Sequence, residues 1–264
     1  MLRGLFLSAA AGTIGGVAAA DTAYIEPSSF APQLNQTITV ETAFNDYCCV
    51  PKYPVRSDSF AVIYPDGRSV EPDRLEMFAN SSVIEQKITR EGTTRITTGE
   101  RLGRKGGEYV LLDGQYFLVN SDDAEPIEVP EGTPVLSSQT ATVSDTYVTV
   151  GEPNWESIRK PIGRLRLLPE QHPSALATGD MLDITITFDD APLVDQDLVL
   201  TRSGQKDRDG DEGFVFQFDQ NGRVSIPLFQ SGTHLIMTRM QAPAPEGAET
   251  DIRSYTTSLT FAVN

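Results

Sequence analysis

Histidine is almost absent from this chain of 264 residues, which carries only His172 and His234. That scarcity excludes a zinc centre built on three imidazoles. Cysteine is equally rare, and its two copies are neighbours, Cys48 and Cys49. No disulfide can therefore staple distant parts of the fold. A bond between adjacent cysteines must close over a Cα separation of about 3.8 Å, short of the ~4.4–6.8 Å usual for disulfides. The alternatives are bridges to another chain, or a thiol pair offered to a soft metal. In an oxidising compartment the local bond is the first choice.

Other signals are missing as well. No Gly-rich phosphate loop follows a strand, and there is neither a Gly-x-Ser-x-Gly elbow nor a His-Glu-x-x-His helix. Glu152, Glu156 and Glu170 are scattered, without the spacing of a paired acid and base. Neither histidine lies near Cys48 or Cys49 in sequence, so a thiol nucleophile has no local base. Together these gaps predict a protein that is not an enzyme.

Positive charge is in deficit, with 21 Lys and Arg against 37 Asp and Glu and a net charge of −16. Such a balance disfavours nucleic acid and anionic lipid as partners. It leaves room for cations, for basic partners, or simply for a solvated acidic surface. The chain opens on Met1-Leu2-Arg3, continues through a small, apolar run, and reaches Ala18-Ala19-Ala20 before Asp21. This reads as a signal peptide over residues 1–20, cleaved after Ala20. Removing Arg3 from the 21 basic residues leaves 20 against 37, a net of −17 on 244 mature residues. No later stretch reaches the ~20 apolar residues of a membrane span. The expectation is an exported periplasmic protein with no membrane insertion after cleavage.

What fills the chain is two-residue alternation, the mark of strands with one buried face. Thr37–Phe44, Phe60–Tyr64, Thr93–Thr98 and Thr146–Val150 read as strands. Glu108–Leu112 and Gln115–Val119 flank Asp113-Gly114, a hairpin signal because a tight primed turn needs positive φ. The proline-bearing segment from Asn120 to Ser138 reads as an extended connection, and Gly151 to Pro161 as a junction. Seven further candidates follow: Arg164–Leu168, Leu182–Phe188, Leu198–Thr201, Phe214–Phe218, Val224–Leu228, His234–Arg239 and Tyr255–Val263. Seven short strands in about a hundred residues suggest an immunoglobulin-like sandwich. The fold class is all-β, with an N-terminal β-sandwich-like domain over residues 21–160 and an immunoglobulin-like one over 161–264.

Few residues stand out as candidates for function. His234 lies at the entrance of a strand, where a ring N–H can bond back to the chain just upstream. His172, between Gln171 and Pro173, is expected in an exposed loop. Asp207, Asp209 and Asp211 alternate in a loop as calcium ligands do at the start of their binding loops. The match then departs, because Glu212 holds the sixth position and Phe218 the twelfth. An acidic hairpin tip is the plainer reading. Arg101, Arg104 and Lys105 suggest a small basic turn. Arg159, Lys160, Arg164 and Arg166 form a second basic group at the junction, beside the single tryptophan, Trp155, which is expected to plug the interface.

A resemblance spans the mature chain. Asp21-Thr22-Ala23-Tyr24-Ile25-Glu26-Pro27, Gly92 to Arg101, Thr146-Tyr147-Val148-Thr149 with Gly151, Leu167-Leu168-Pro169, His172-Pro173, Gly179-Asp180 and Ser254 to Phe261 follow one another in order. In that order they resemble an exported family of unknown function associated with nickel and cobalt uptake, NikM-like. The resemblance implies two β-sandwich-like domains in a Gram-negative periplasm and an accessory role in metal acquisition. It implies an envelope transport protein or outer-membrane receptor as partner, and a weakly held divalent ion such as nickel, cobalt or calcium. Such members begin with His, where this chain has Asp21. One carboxylate binds nickel or cobalt less well than an imidazole, so Asp21 and its α-amine form a weak ligand pair. The competing reading is an envelope interaction module that binds a protein or glycan without metal.

Overall fold

The computed structural model describes residues 21–45, 48–121, 126–194, 196–204 and 213–264. The first half contributes β1 (Thr22–Pro27), β2 (Thr37–Asn45), β3 (Tyr53–Pro54), β4 (Ala61–Ile63), β5 (Ser69–Val70), β6 (Arg74–Met77), β7 (Ser82–Lys87) and β8 (Gly92–Thr97). Next come β9 (Arg101–Leu112), β10 (Gln115–Val119), β11 (Leu136–Val150) and the short helix α1 (Glu156–Arg159). The second half contributes β12 (Leu165–Pro169), β13 (Met181–Phe188), β14 (Ala191–Pro192), β15 (Asp197–Arg202), β16 (Phe214–Gln217), β17 (Arg223–Pro227), β18 (Gly232–Pro243) and β19 (Ile252–Val263). The protein is all-β and sandwich-like. No helix among the described residues is long and apolar enough to cross a membrane.

Three sheets account for these strands. One runs β1-β2-β7-β6 with β3 on β2, and another joins β12, β14 and β17 through β13. The third is ten-stranded and continuous, in the order β16-β15-β18-β19-β11-β8-β4-β5, with β9 also on β11 and β10 on β9. Alternation sets which side chains turn inward. In β13, Leu182, Ile184 and Ile186 are fully buried, while Met181 is exposed. One core gathers Ile25, Val40, Ile84, Ile96 and Val148. A second gathers Leu182, Ile184, Leu198, Ile226, Ile236 and Phe261.

The large sheet crosses from one core to the other because β11 pairs in parallel with β19, from Ser138↔Ile252 to Thr146↔Thr260. Parallel neighbours need a crossover connection, and here the chain from α1 through β18 serves as that crossover. Sequence positions on either side of residue 160 are thus hydrogen-bonded neighbours within one sheet.

The middle of this sheet is buried and rich in hydroxyls, which explains its Thr and Ser content. β1 is an edge strand of its own sheet, and an uncovered edge leaves backbone groups unpaired. Ser144 and Ser258 each donate a hydroxyl to the Ala23 carbonyl, at 3.2 and 2.6 Å. The Ile25 N–H donates to Thr260 Oγ1 at 3.3 Å. Hydroxyls from β11 and β19 thereby seal the β1 edge, as buried polar groups require.

Turn chemistry follows expectation at Asp113 and Gly114, whose φ values of 49° and 84° place Leu112 opposite Gln115. The basic turn expected at Arg101, Arg104 and Lys105 is instead part of β9, which runs unbroken through Gly106 and Gly107. Pairing with β11 resumes across a register shift, from Lys105 opposite Gln139 to Glu108 opposite Ser137, so the glycines form an irregularity within the strand and not a turn.

Candidate functional site

Asp21 immediately precedes β1, and its carboxylate accepts from Lys52 Nζ at 2.9 Å. Thr22 lies opposite Asn45 at the end of β2, and β3 pairs back onto β2 at Phe44↔Tyr53. Asp21 therefore sits at the end of the sheet that the Cys48-Cys49 loop also occupies. The two cysteines are bonded to each other. Cys48 is buried against Tyr24, Ala43 and Leu235. Unreduced protein should therefore weigh about two mass units less than the dithiol form and give no disulfide-linked dimer in intact mass spectrometry. Two free thiols would contradict the pairing.

Asp207, Asp209 and Asp211 lie outside the described residues. Among the described residues, no group of three or more His, Cys, Asp or Glu is placed to hold a metal ion. Among the described residues, Asp21 is thus brought to Lys52 and belongs to no such group.

Both histidines are buried and hydrogen-bonded, but through different ring nitrogens. His234 donates from Nδ1 to the Gly232 carbonyl at 3.0 Å and stacks on Phe261, bonding back to the chain two residues upstream. Burial holds its pKa below the ordinary value, and Arg202 adds to this against the Gly232 bond. His172, expected in an exposed loop, is buried instead. Its Nδ1 accepts from the Ser174 N–H at 3.2 Å and faces Ser174 Oγ at 2.8 Å, capping the 3₁₀ turn Pro173–Ala175. With Nδ1 accepting, Nε2 carries the proton and donates to the Asn154 carbonyl at 3.1 Å, with Thr93 Oγ1 at 3.0 Å. Burial lowers its pKa, opposed by the Asn154 bond. The ring also meets Trp155 edge to face, with centroids 5.1 Å apart. His172 is a neutral packing hub, which its Gln-His-Pro context alone did not disclose.

The junction basic group separates into engaged and unengaged members. Arg95, from β8, makes a buried two-point pair with Asp145 of β11 at 2.8 and 2.5 Å, and donates to the Lys160 carbonyl at 2.7 Å. Burial opposes its charge, but Asp145 more than compensates and raises the pKa. Arg164 pairs with Asp189 through two bonds, donates to Tyr255 Oη at 2.7 Å, and lies against the rings of Phe188 and Tyr255. Arg166 pairs with Asp190. Lys160 Nζ donates to the Gly67 carbonyl at 2.9 Å.

Arg159 is the exception. Its guanidinium lies over the Trp155 ring, 5.3 Å from the centroid, and has no carboxylate partner among the described residues. Glu156, one turn earlier on α1, accepts from Asn154 Nδ2 at 2.6 Å instead. Trp155 is half-buried against the second core, and one side of it faces a cleft. The cleft has a volume of about 340 Å³ and is lined by Trp155, Ile158, Arg159, Leu168, Pro169 and Glu170. Glu170 is committed to Arg223 and accepts from Thr185 Oγ1 at 3.1 Å. Arg159 is therefore the one lining charge without a counter-charge among the described residues.

Fold and site together define an all-β, sandwich-like chain in which one sheet links two cores, with a small cleft beside Trp155 and α1. A family model described as a domain of unknown function (DUF4198) matches residues 18–242, and the chain belongs to that family. The description assigns the family no function. No curated protein matches the chain. Among solved structures, the D0-D1 domain of intimin is similar at 8% identity and a TM-score of 0.23, covering 90% of this chain and 96% of that one. An amphioxus IgVJ-C2 molecule is similar at 14% identity and a TM-score of 0.19, covering 89% and 99%. The mouse nectin-like molecule 4 ectodomain follows at 10% identity and a TM-score of 0.18, covering 89% and 62%. At these scores the likenesses carry no argument about function.

Proposed function

We propose that this protein is an exported, non-catalytic binding module of the cell envelope. The observation that carries this reading is the shared sheet. Parallel pairing of β11 with β19 ties two sandwiches into one platform, on which loops and a cleft are held in fixed positions. Binding residues are commonly presented in this way, on loops set by a rigid scaffold.

In its narrower form the module is a periplasmic accessory to transition-metal uptake, as the sequence resemblance implies, working beside an envelope transporter or receptor. Engagement of Asp21 by Lys52 favours the form in which no ion is held tightly and a protein or glycan partner is recognised. Calorimetric titration of the mature protein with nickel, cobalt, zinc and copper separates the two. Binding no tighter than about millimolar is expected, because a lone carboxylate and amine make a poor site for these ions. A micromolar dissociation constant for any of them would instead establish a dedicated metal site. Pull-down from envelope extracts tests the partner, and failure to retain any envelope component would count against the module itself.

A further inference from the structure

We propose that the cleft beside Trp155 binds a small organic monocarboxylate, its carboxylate on Arg159 and its apolar or aromatic body against Ile158, Leu168 and Pro169. The proposal deepens the binding-module reading and rests on it. Three observations point to this ligand class. First, nearly every other arginine around the junction is matched to a carboxylate, while Arg159 is exposed and unmatched among the described residues. A cation–π contact with the indole does not neutralise the guanidinium, and its fork of N–H donors fits a carboxylate.

Second, the remaining walls are mostly apolar, with Ile158 buried and Leu168 and Pro169 largely covered. Apolar walls with one well-placed polar group are the usual make-up of a small-molecule site, and about 340 Å³ lies at the small end of the ~300–1,000 Å³ range. A single ring or a short aliphatic chain fits that space. Third, Arg159 is the single unmatched charge of the lining, because Arg223 already pairs with Glu170, so a monoanion matches the site better than a phosphate or dicarboxylate.

Trp155 is the only tryptophan, so emission excited selectively from tryptophan reports on the wall of this cleft. Phenylacetate is the probe, with phenylacetamide as its neutral counterpart and inorganic phosphate as the apolar-free anion. Titration of the mature protein should give a saturable change in Trp155 emission, and calorimetry on the same samples detects binding that leaves emission unchanged. Arg159→Gln should weaken phenylacetate at least about tenfold, as expected for loss of a charge-assisted hydrogen bond. Because Arg159 is exposed, this variant should keep the wild-type thermal midpoint. Phenylacetamide should bind the wild type no better than phenylacetate binds the variant.

No binding of phenylacetate by either method overturns the proposal, as does equal binding of acid and amide. Phosphate binding as tightly as phenylacetate overturns the monocarboxylate assignment. These failures leave the pull-down result untouched, so the cleft and the module fall separately. Conversion of phenylacetate, followed by NMR over the same incubation, would instead refute the non-catalytic reading.

Discussion

Asp145→Ala is expected to lower the unfolding free energy by about 3–5 kcal/mol, the range for breaking a buried ion pair by removing one partner. Both side chains are nearly inaccessible, at 6% exposure for Arg95 and 10% for Asp145. Deleting the carboxylate leaves a guanidinium that cannot lose its proton and cannot reach water. Its remaining bond to the Lys160 carbonyl does not neutralise it. Against a typical stability of ~5–15 kcal/mol, such a loss is a large share of the total. Urea denaturation of the variant should show a much lower midpoint. Arg95→Met with Asp145→Leu should cost clearly less than Asp145→Ala alone, since no charge is then stranded. A single-variant loss under about 1 kcal/mol would mean that the pair is solvated in solution and does not join β8 to β11 as described.

The second large effect concerns His172. His172→Ala should cost about 2–3 kcal/mol, because the Ser174 N–H and Asn154 carbonyl lose a buried partner and Trp155 loses its edge contact. The same residue fixes a pH dependence. The fold holds both His172 and His234 below their ordinary pKa, whereas the unfolded chain takes up a proton near pH ~6.5. The unfolded state therefore binds more protons as pH falls below that value. Stability is complete above about pH 6.5 and declines towards the depressed folded pKa values.

Glu26 acts in the opposite sense. Burial, together with the Glu41 carboxylate across the strand pair and against the Thr233 hydrogen bond, raises its pKa. Acidification between that raised value and the ordinary ~4.3 relieves a charge the fold tolerates poorly. The histidine contribution is isolated by comparing wild type with His172→Ala between pH 7 and 5. The variant should show a shallower decline. Identical slopes would show that His172 titrates alike in folded and unfolded chains.

Much of the fold was legible in the sequence, for a local reason. All seven strands expected after residue 160 are present, because alternation such as that of Leu182, Ile184 and Ile186 records a single buried face. Pro126, Pro130 and Pro134 lead directly into β11, so its first, partly exposed residues read as a connection, and the strand proved to begin at Leu136. Its length depends on β9 and β19, partners that local pattern does not reveal. His172 was misplaced for a related reason, since Thr93, one of its partners, lies 79 residues away. Trp155 and Arg159 were visible as a cluster. What marks Arg159 out is that Asp189, Asp190 and Arg223 occupy its neighbours, and this is a property of the folded surface only.

The parallel contact between β11 and β19 also bears on the order in which the molecule can assemble. One flank of β11 stays open until residues more than a hundred positions later arrive to cover it. Closing so large a loop is slow, because chain entropy is lost before the ladder forms. The central layer is thus completed late in folding, and the flank of β11 that β19 covers is the last part of the large sheet to be closed.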